Sequence, residues 1–324
     1  MNNSYWNQTF NIGPHIIPRF IGAPLDGITD SPFRRLVRTF SPEALLYTEM
    51  RHVGSIAADT HGTRTVRFMQ TERPLTYQIA ANGPAYIDAA IERILNTGVD
   101  IVDLNVGCPA RNVIGSGSGS ALMADIPRFK EILTTLRTRL AIPFTIKIRA
   151  GFKECNAVHI AQIAQDHGVD AIAIHPRLQT QKFEGRPDYA VAAAVKKAVS
   201  VPVLLSGNIV NATTAKMAYE ITGVDGFLIG RALWGRSWKL KELTAHMQGT
   251  PYTISRKEIL ACALTHFQYM IDYYGPQGLF AFRKHVPFYV AGMASASDIR
   301  GKLISLTAPQ AVEELLHTLA ASLD

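Results

Sequence analysis

Cysteine is scarce in this chain: Cys108, Cys155 and Cys262 stand far apart among 324 residues. Without a C-x-x-C pair there is no basis for a disulfide framework or for a cysteine-rich zinc or iron–sulfur site, so a reducing compartment and no metal are expected. No uninterrupted apolar stretch approaches bilayer-spanning length, and the opening MNNSYWNQTF lacks the basic start and apolar run of a secretory signal. The expectation is a cytoplasmic protein with no membrane partner. Charged residues make up only 18%, against 47% hydrophobic, a composition that folds throughout and is poor in features of disorder.

At this length one large domain followed by a small one is the natural arrangement. Lys and Arg number 33 against 26 Asp and Glu, a net charge of +7, which suits a polyanionic partner. From Pro251 onward six basic residues meet six acidic ones, so the whole surplus lies before that point.

Three stretches repeat one pattern: NTGVDIVDLN, DHGVDAIAIH and ITGVDGFLIG. Each has a glycine suited to a left-handed helix cap, then Val-Asp, then a short apolar run typical of a strand buried on both faces. IPFTIKIR and VPVLLSG enter strands through a proline, and PRFIGAP, EALLYTEM and PLTYQIAA supply three more apolar runs. Eight strands are thus expected, near Phe20, Leu45, Thr76, Val102, Thr145, Ala173, Leu204 and Phe227, with amphipathic segments in most gaps. Eight β/α units over about 230 residues predict a TIM (β/α)8 barrel, with an open doubly wound sheet as the competitor. Closure is favoured because polar residues gather at the carboxyl ends of nearly all the strands. Gly249 and Pro251 break the helical pattern, which predicts a barrel over 1–248 and a small helical domain over 249–324.

Barrel chemistry is expected where strands end. SGN (Ser206, Gly207, Asn208) and Gly230-Arg231 fit either a phosphate cradle or two tight turns. Lys147, between Ile146 and Ile148, is expected to point into the mouth, toward a flavin's N1–O2 edge or a substrate carbonyl. His175 fits a core histidine or a ligand contact, and Gln78 an imide edge or a strand cap. Cys108 is the sharper case. It lies beyond its strand, between Gly107 and Pro109, ahead of Gly115, Gly117 and Gly119. A thiol there can donate a proton or attack a ring carbon if the loop closes over a substrate, whereas Cys155 and Cys262 read as structural.

Taken in order, APLDGITDSPFR, TEM, YQIA, DLNVGCPARNV, KIRAGF, SGNI, TGVDGFLIGRA, YYGPQG and FRKHVPFY resemble the tRNA-dihydrouridine synthases, most closely the bacterial B type, from about Phe10 to Met293. The resemblance implies an FMN-bearing barrel, a helical domain that grips tRNA, and NADPH-dependent reduction of the uracil C5–C6 double bond. It implies Pro24, Leu25 and Asp26 along the flavin ring, Gln78 and Lys147 on its polar edge, and His175 beside it. Ser206, Gly207, Asn208, Gly230 and Arg231 would hold the phosphate, and Cys108 would be the proton donor. Asn105 and Arg177 would contact the substrate, with Arg283, Lys284 and His285 on the RNA backbone.

The chain departs from the family pattern in three places. Asn112, Gly115 and Ser116 stand where basic residues are common, Ser206-Gly207-Asn208 replaces Asn-Gly-Asp, and Pro176-Arg177-Leu178-Gln179 replaces Gly-Arg-Thr-Arg. Three other functions fit parts of the pattern: an FMN-dependent dihydroorotate- or dihydropyrimidine-type oxidoreductase, an aldolase-like barrel using Lys147, and an RNA-binding relative without catalysis. The sequence leaves open which uridine is chosen and the oligomeric state, for which a monomer is the default.

Overall fold

The computed structural model describes residues 4–62 and 65–323. A short antiparallel hairpin, β1 (Phe10–Ile12) and β2 (His15–Ile17), precedes the main sheet. The sheet is built from β3 (Phe20–Gly22), β4 (Leu46–Tyr47), β5 (Arg51–His52), β6 (Leu75–Ala80), β7 (Ile101–Val106), β8 (Phe144–Gly151), β9 (Ala171–Leu178), β10 (Val203–Ser206) and β11 (Gly226–Ile229). All pairs are parallel, and β11 pairs with β3 while β4 pairs with both β3 and β6, which closes an eight-stranded ring. The fold is a TIM barrel, with β5 as a short extension on β6. Each of the eight expected strands has its counterpart in the ring.

The glycines of the repeated pattern work as helix ends: Gly98, Gly168 and Gly223 all have φ between 61° and 76°. A side chain there would strain the turn that sends the chain from helix into strand. Along each strand the pleat then sorts side chains into two layers. Val102, Leu104 and Val106 of β7 and Phe144, Ile146 and Ile148 of β8 join the large cluster under the helices. Asp103, Asn105, Thr145, Lys147 and Arg149 occupy the alternate, inward positions. In register, Gln78 lies beside Asp103, Asp103 beside Thr145, Asn105 beside Lys147, and Arg149 beside His175.

The amino-terminal end of the barrel is sealed by the hairpin. Ile12 and Ile17 are fully buried against Ile21, Leu45, Ile101 and Leu204. Beyond the barrel, the helix Arg256–Tyr274 starts at a reciprocal cap: Ser255 Oγ accepts from the Glu258 N–H while the Glu258 carboxylate accepts from the Ser255 N–H at 2.7 Å. It packs with helices Gly278–Phe282, Val286–Tyr289, Ala296–Ser305 and Pro309–Ala321 around a second apolar core. Leu36 and Trp238, from barrel segments, are part of that core, so the two regions share a packed seam. Among the described residues no helix is long and apolar enough to cross a membrane.

Candidate active site

At the carboxyl end of the ring the inward residues form a connected polar floor. The Asp103 carboxylate, fully buried, accepts from the Thr145 hydroxyl at 2.6 Å and from Gln78 Nε2 at 2.8 Å. Gln78 Oε1 accepts from Asn105 Nδ2 at 2.9 Å, and Asn105 Oδ1 accepts from the backbone N–H groups of Gly107 (3.1 Å) and Cys108 (2.8 Å). The Cys108 carbonyl is held in turn by the Ser120 hydroxyl at 2.8 Å. The turn that carries the thiol is therefore fixed on both sides.

Burial pushes the Cys108 thiol above its ordinary pKa; the Ala110 N–H and the Lys147 charge pull it back only partly. The group stays protonated at neutral pH. Lys147 points inward, as its apolar neighbours predicted, and has no hydrogen-bond partner among the described residues. Burial and the nearby Arg149 lower its ammonium to about 8, against the pull of Asp103 and Cys108. An uncommitted ammonium in a protein interior needs an anionic or electron-rich ligand.

His175 is kept neutral, lowered to about 2 by burial and then by Lys147, Arg149, Arg177 and Arg231. Its Nε2 lies 2.9 Å from Arg177 Nη1 and accepts from it, which leaves the proton on Nδ1. Beside it, Gly207 has φ +122° and Asn208 φ +58°. A Cβ on Gly207 would come within 2.9 Å of His175 Cδ2, so this backbone lies open only because the residue is glycine. Arg231 is exposed, and Gly230 packs near Leu25. Ser206, Gly207, Asn208, Gly230 and Arg231 thus flank the same sector of the mouth as His175.

Some expected contacts look different in place. Pro24 and Leu25 sit at the rim, and the Asp26 carboxylate is 75% exposed and meets Arg51 at 3.6 Å, while its charge still acts on Cys108. Arg177 is buried and its guanidinium is taken up by His175, the carbonyls of Glu184 and Gly185, and Asn208 Oδ1. Its geometry is that of a loop brace, not of a substrate contact. His285 has no exposed surface; it stacks on Phe33 and edges His266 inside the second core. It is therefore removed from the RNA-facing set, while Arg283 and Lys284 stay partly exposed. Asn105, assigned to the base edge, already spends its oxygen on the Cys108 turn.

Two residues that belong to this site, Asp103 and Phe183, are not singled out by the sequence, and a third, Arg149, is expected at a strand end but without a role. Asp103 had a signal, since it precedes Asn105 by one pleat repeat. Arg149 follows Lys147 by the same interval and ties the Gly107 carbonyl (2.7 Å) to those of Leu178 (3.0 Å) and Lys182 (2.8 Å). Phe183 had none: it is 55% exposed, and its ring lies 5.6 Å from the Arg149 guanidinium carbon and 5.5 Å from that of Arg231. Among the described residues no cluster of His, Cys, Asp and Glu could hold a metal ion.

Comparison with known proteins supplies the chemical context. The family described as dihydrouridine synthase (Dus) matches residues 21–323. A probable tRNA-dihydrouridine synthase 1 from Synechocystis is 32% identical over 327 residues, 97% of this chain and 90% of the relative. A tRNA-dihydrouridine synthase B from Pseudomonas aeruginosa is 34% identical over 298 residues, 90% of each chain. Among solved structures, histamine dehydrogenase from Rhizobium sp. 4-9 matches with a TM-score of 0.57 and 12% identity, over 82% of this chain and 51% of that one. Morphinone reductase matches with a TM-score of 0.57 and 11% identity, over 76% of this chain and 90% of that one. These two likenesses concern the barrel fold.

Proposed function

The chain belongs to the dihydrouridine synthase family, and from that premise we propose that it is an FMN-dependent oxidoreductase reducing the C5–C6 double bond of a uridine in tRNA, with NADPH as reductant. The observation that carries the reading is the protonated Cys108 thiol, its turn fixed at the barrel mouth by Asn105 and Ser120, with an uncommitted Lys147 ammonium close enough to act on it.

The residues present fit a flavin. Lys147 is a donor without a protein acceptor, suited to the electron-rich N1–O2 edge, and the open backbone at Gly207 with Arg231 beside it is suited to a phosphate dianion. Pro24 and Leu25 would lie along the ring, and His175 would offer its Nδ1 proton. Asp26, exposed beside Pro24 and Leu25, would lie along the same edge. When bound and reduced, FMN supplies a hydride to C6 of the base.

The chain's own residues do the rest. As the C5=C6 bond takes up the hydride, the electron pair left at C5 is protonated by the Cys108 thiol, and the resulting thiolate is reprotonated from solvent. Lys147 beside the cysteine steadies that thiolate. The spare N–H of Asn105 would donate to a carbonyl of the base. A uridine must leave its stack to reach this depth. The basic surplus of the barrel, with Arg283 and Lys284, would meet the RNA backbone. We take residues 1–248 as the catalytic barrel and 249–324 as the helical tRNA-binding unit, in a cytoplasmic protein.

The test is to load the purified protein with FMN and follow NADPH oxidation without oxygen. Unmodified tRNA is expected to accelerate it, and free uridine or dihydroorotate is not. Oxidation driven equally by a free pyrimidine would replace this reading by the dihydropyrimidine-type alternative.

A further inference from the structure

We propose that Asp103 is a positioning residue: it anchors an amide strap, Asp103–Gln78–Asn105, that locks the Cys108 turn and fixes which way both amides are turned. The strap is a property of the folded chain, and only its catalytic consequence rests on the function proposed above.

The argument is one of donor and acceptor parity. The Asp103 carboxylate is held by two donors, Thr145 Oγ1 and Gln78 Nε2, and as an ionised group it can only accept. Gln78 must therefore turn its NH2 to Asp103 and its carbonyl to Asn105, where it accepts from Nδ2. Asn105 is left with its oxygen toward the Gly107 and Cys108 N–H groups, which can only donate. Both ends demand the same polarity, so neither amide can flip without stranding a buried group.

Gln78 is 1% exposed and Asn105 8%, so water offers the strap no substitute partner. Each amide keeps one unused N–H, and Gln78 Oε1 keeps one unused lone pair. The spare N–H groups suit carbonyl oxygens or imine nitrogens, acceptors that uracil and the isoalloxazine edge both carry. Without an acceptor at position 103, Gln78 Nε2 is orphaned and releases Asn105, and the Cys108 turn loosens.

The two natural replacements separate this from packing. In Asp103→Asn the new amide oxygen can face Gln78 while its NH2 donates to the Thr145 oxygen, so the strap survives. Asp103→Leu fills similar space and offers no acceptor. The readout is alkylation by iodoacetamide, followed by peptide mass spectrometry, with the exposed Cys155 as standard inside the same molecule.

We expect Cys108 in D103L to react at least about threefold faster than in the unmodified chain, and in D103N to return to within about twofold. A wild-type rate in D103L, or equal shifts in both variants, would overturn the strap. If D103L does not fold, Gln78→Leu interrupts the same chain one link later and must give the same rise; no rise there overturns it equally. With FMN and NADPH, D103L is expected to lower kcat for tRNA by about tenfold or more while KM for tRNA holds. Should the alkylation contrast appear while even the unmodified protein forms no dihydrouridine, the strap stands and the functional reading fails.

Discussion

A thiol that acts as an acid must keep its proton, and the surroundings of Cys108 serve that end: burial raises it, and among the described residues no side-chain base lies within hydrogen-bond reach to remove the proton. The thiol keeps its proton beyond the ordinary thiol range, so the alkaline limit of turnover is set first by Lys147, whose ammonium is lowered to about 8. A pH–rate profile on tRNA should hold its level through neutrality and fall only on the alkaline side; a fall between pH 6 and 7 on the way up would assign the acid elsewhere. Cys108→Ala is expected to keep FMN and tRNA binding, because the strap reaches the backbone of residue 108 and not its side chain. Its turnover should drop by about 10²–10⁴-fold, the usual worth of a positioned acid. Single-turnover reduction of tRNA reads this directly.

At the scale of elements, two predictions concern where strands and helices begin. Gly207→Ala forces a side chain into a φ of +122° and against His175, so it should weaken FMN binding by about tenfold or more, read by fluorescence titration, with little loss of fold. Ser255→Ala removes half of the reciprocal cap on the helix Arg256–Tyr274 and should cost about 1 kcal/mol in denaturant unfolding. These elements also mark what the sequence makes legible. The eight strands could be read because each buried run is bounded by a cap glycine or a proline, and Lys147 could be aimed because Ile146 and Ile148 flank it. The hairpin sealing the barrel floor could not, since three-residue strands carry too little periodicity and only the barrel above gives them a partner. His285 was misplaced for a related reason. Its neighbouring helices, Gly278–Phe282 and Val286–Tyr289, are too short to declare an inner face, so RKH read as one basic run. Asp103 is hard to single out because it is one carboxylate inside the apolar run after the Val99-Asp100 turn, and only the register that puts it opposite Gln78 gives it a partner.

At the scale of the whole molecule, the seam between barrel and carboxyl-terminal helices is built around two buried histidines. His266 is lowered to about 3 by burial and then by Lys284, and His285 is pushed well down by burial, His266 and Lys284. Phe33 of the barrel packs on both rings, and Tyr289 donates to or accepts from His266 Nδ1 at 2.9 Å. Unfolded histidines take up a proton near pH 6.5, whereas these resist it, so their contribution is complete above that value and is lost as the pH falls toward the folded values. Asp30, at the end of the same seam and raised by burial to about 6, acts in the opposite sense below pH 6. Thermal stability should therefore fall between pH 7 and 5, and His285→Phe should flatten that slope; an unchanged slope would remove the pair from the seam's energetics. The account as a whole, a flavin barrel whose Cys108 completes reduction of a tRNA uridine, is tested most directly by nucleoside mass spectrometry of unmodified tRNA after incubation with FMN-loaded protein and NADPH. It requires a uridine that gains two hydrogens with the unmodified chain and almost none with Cys108→Ala. Loaded, folded protein that leaves every uridine unreduced, or a Cys108→Ala variant that reduces it at full rate, would contradict it.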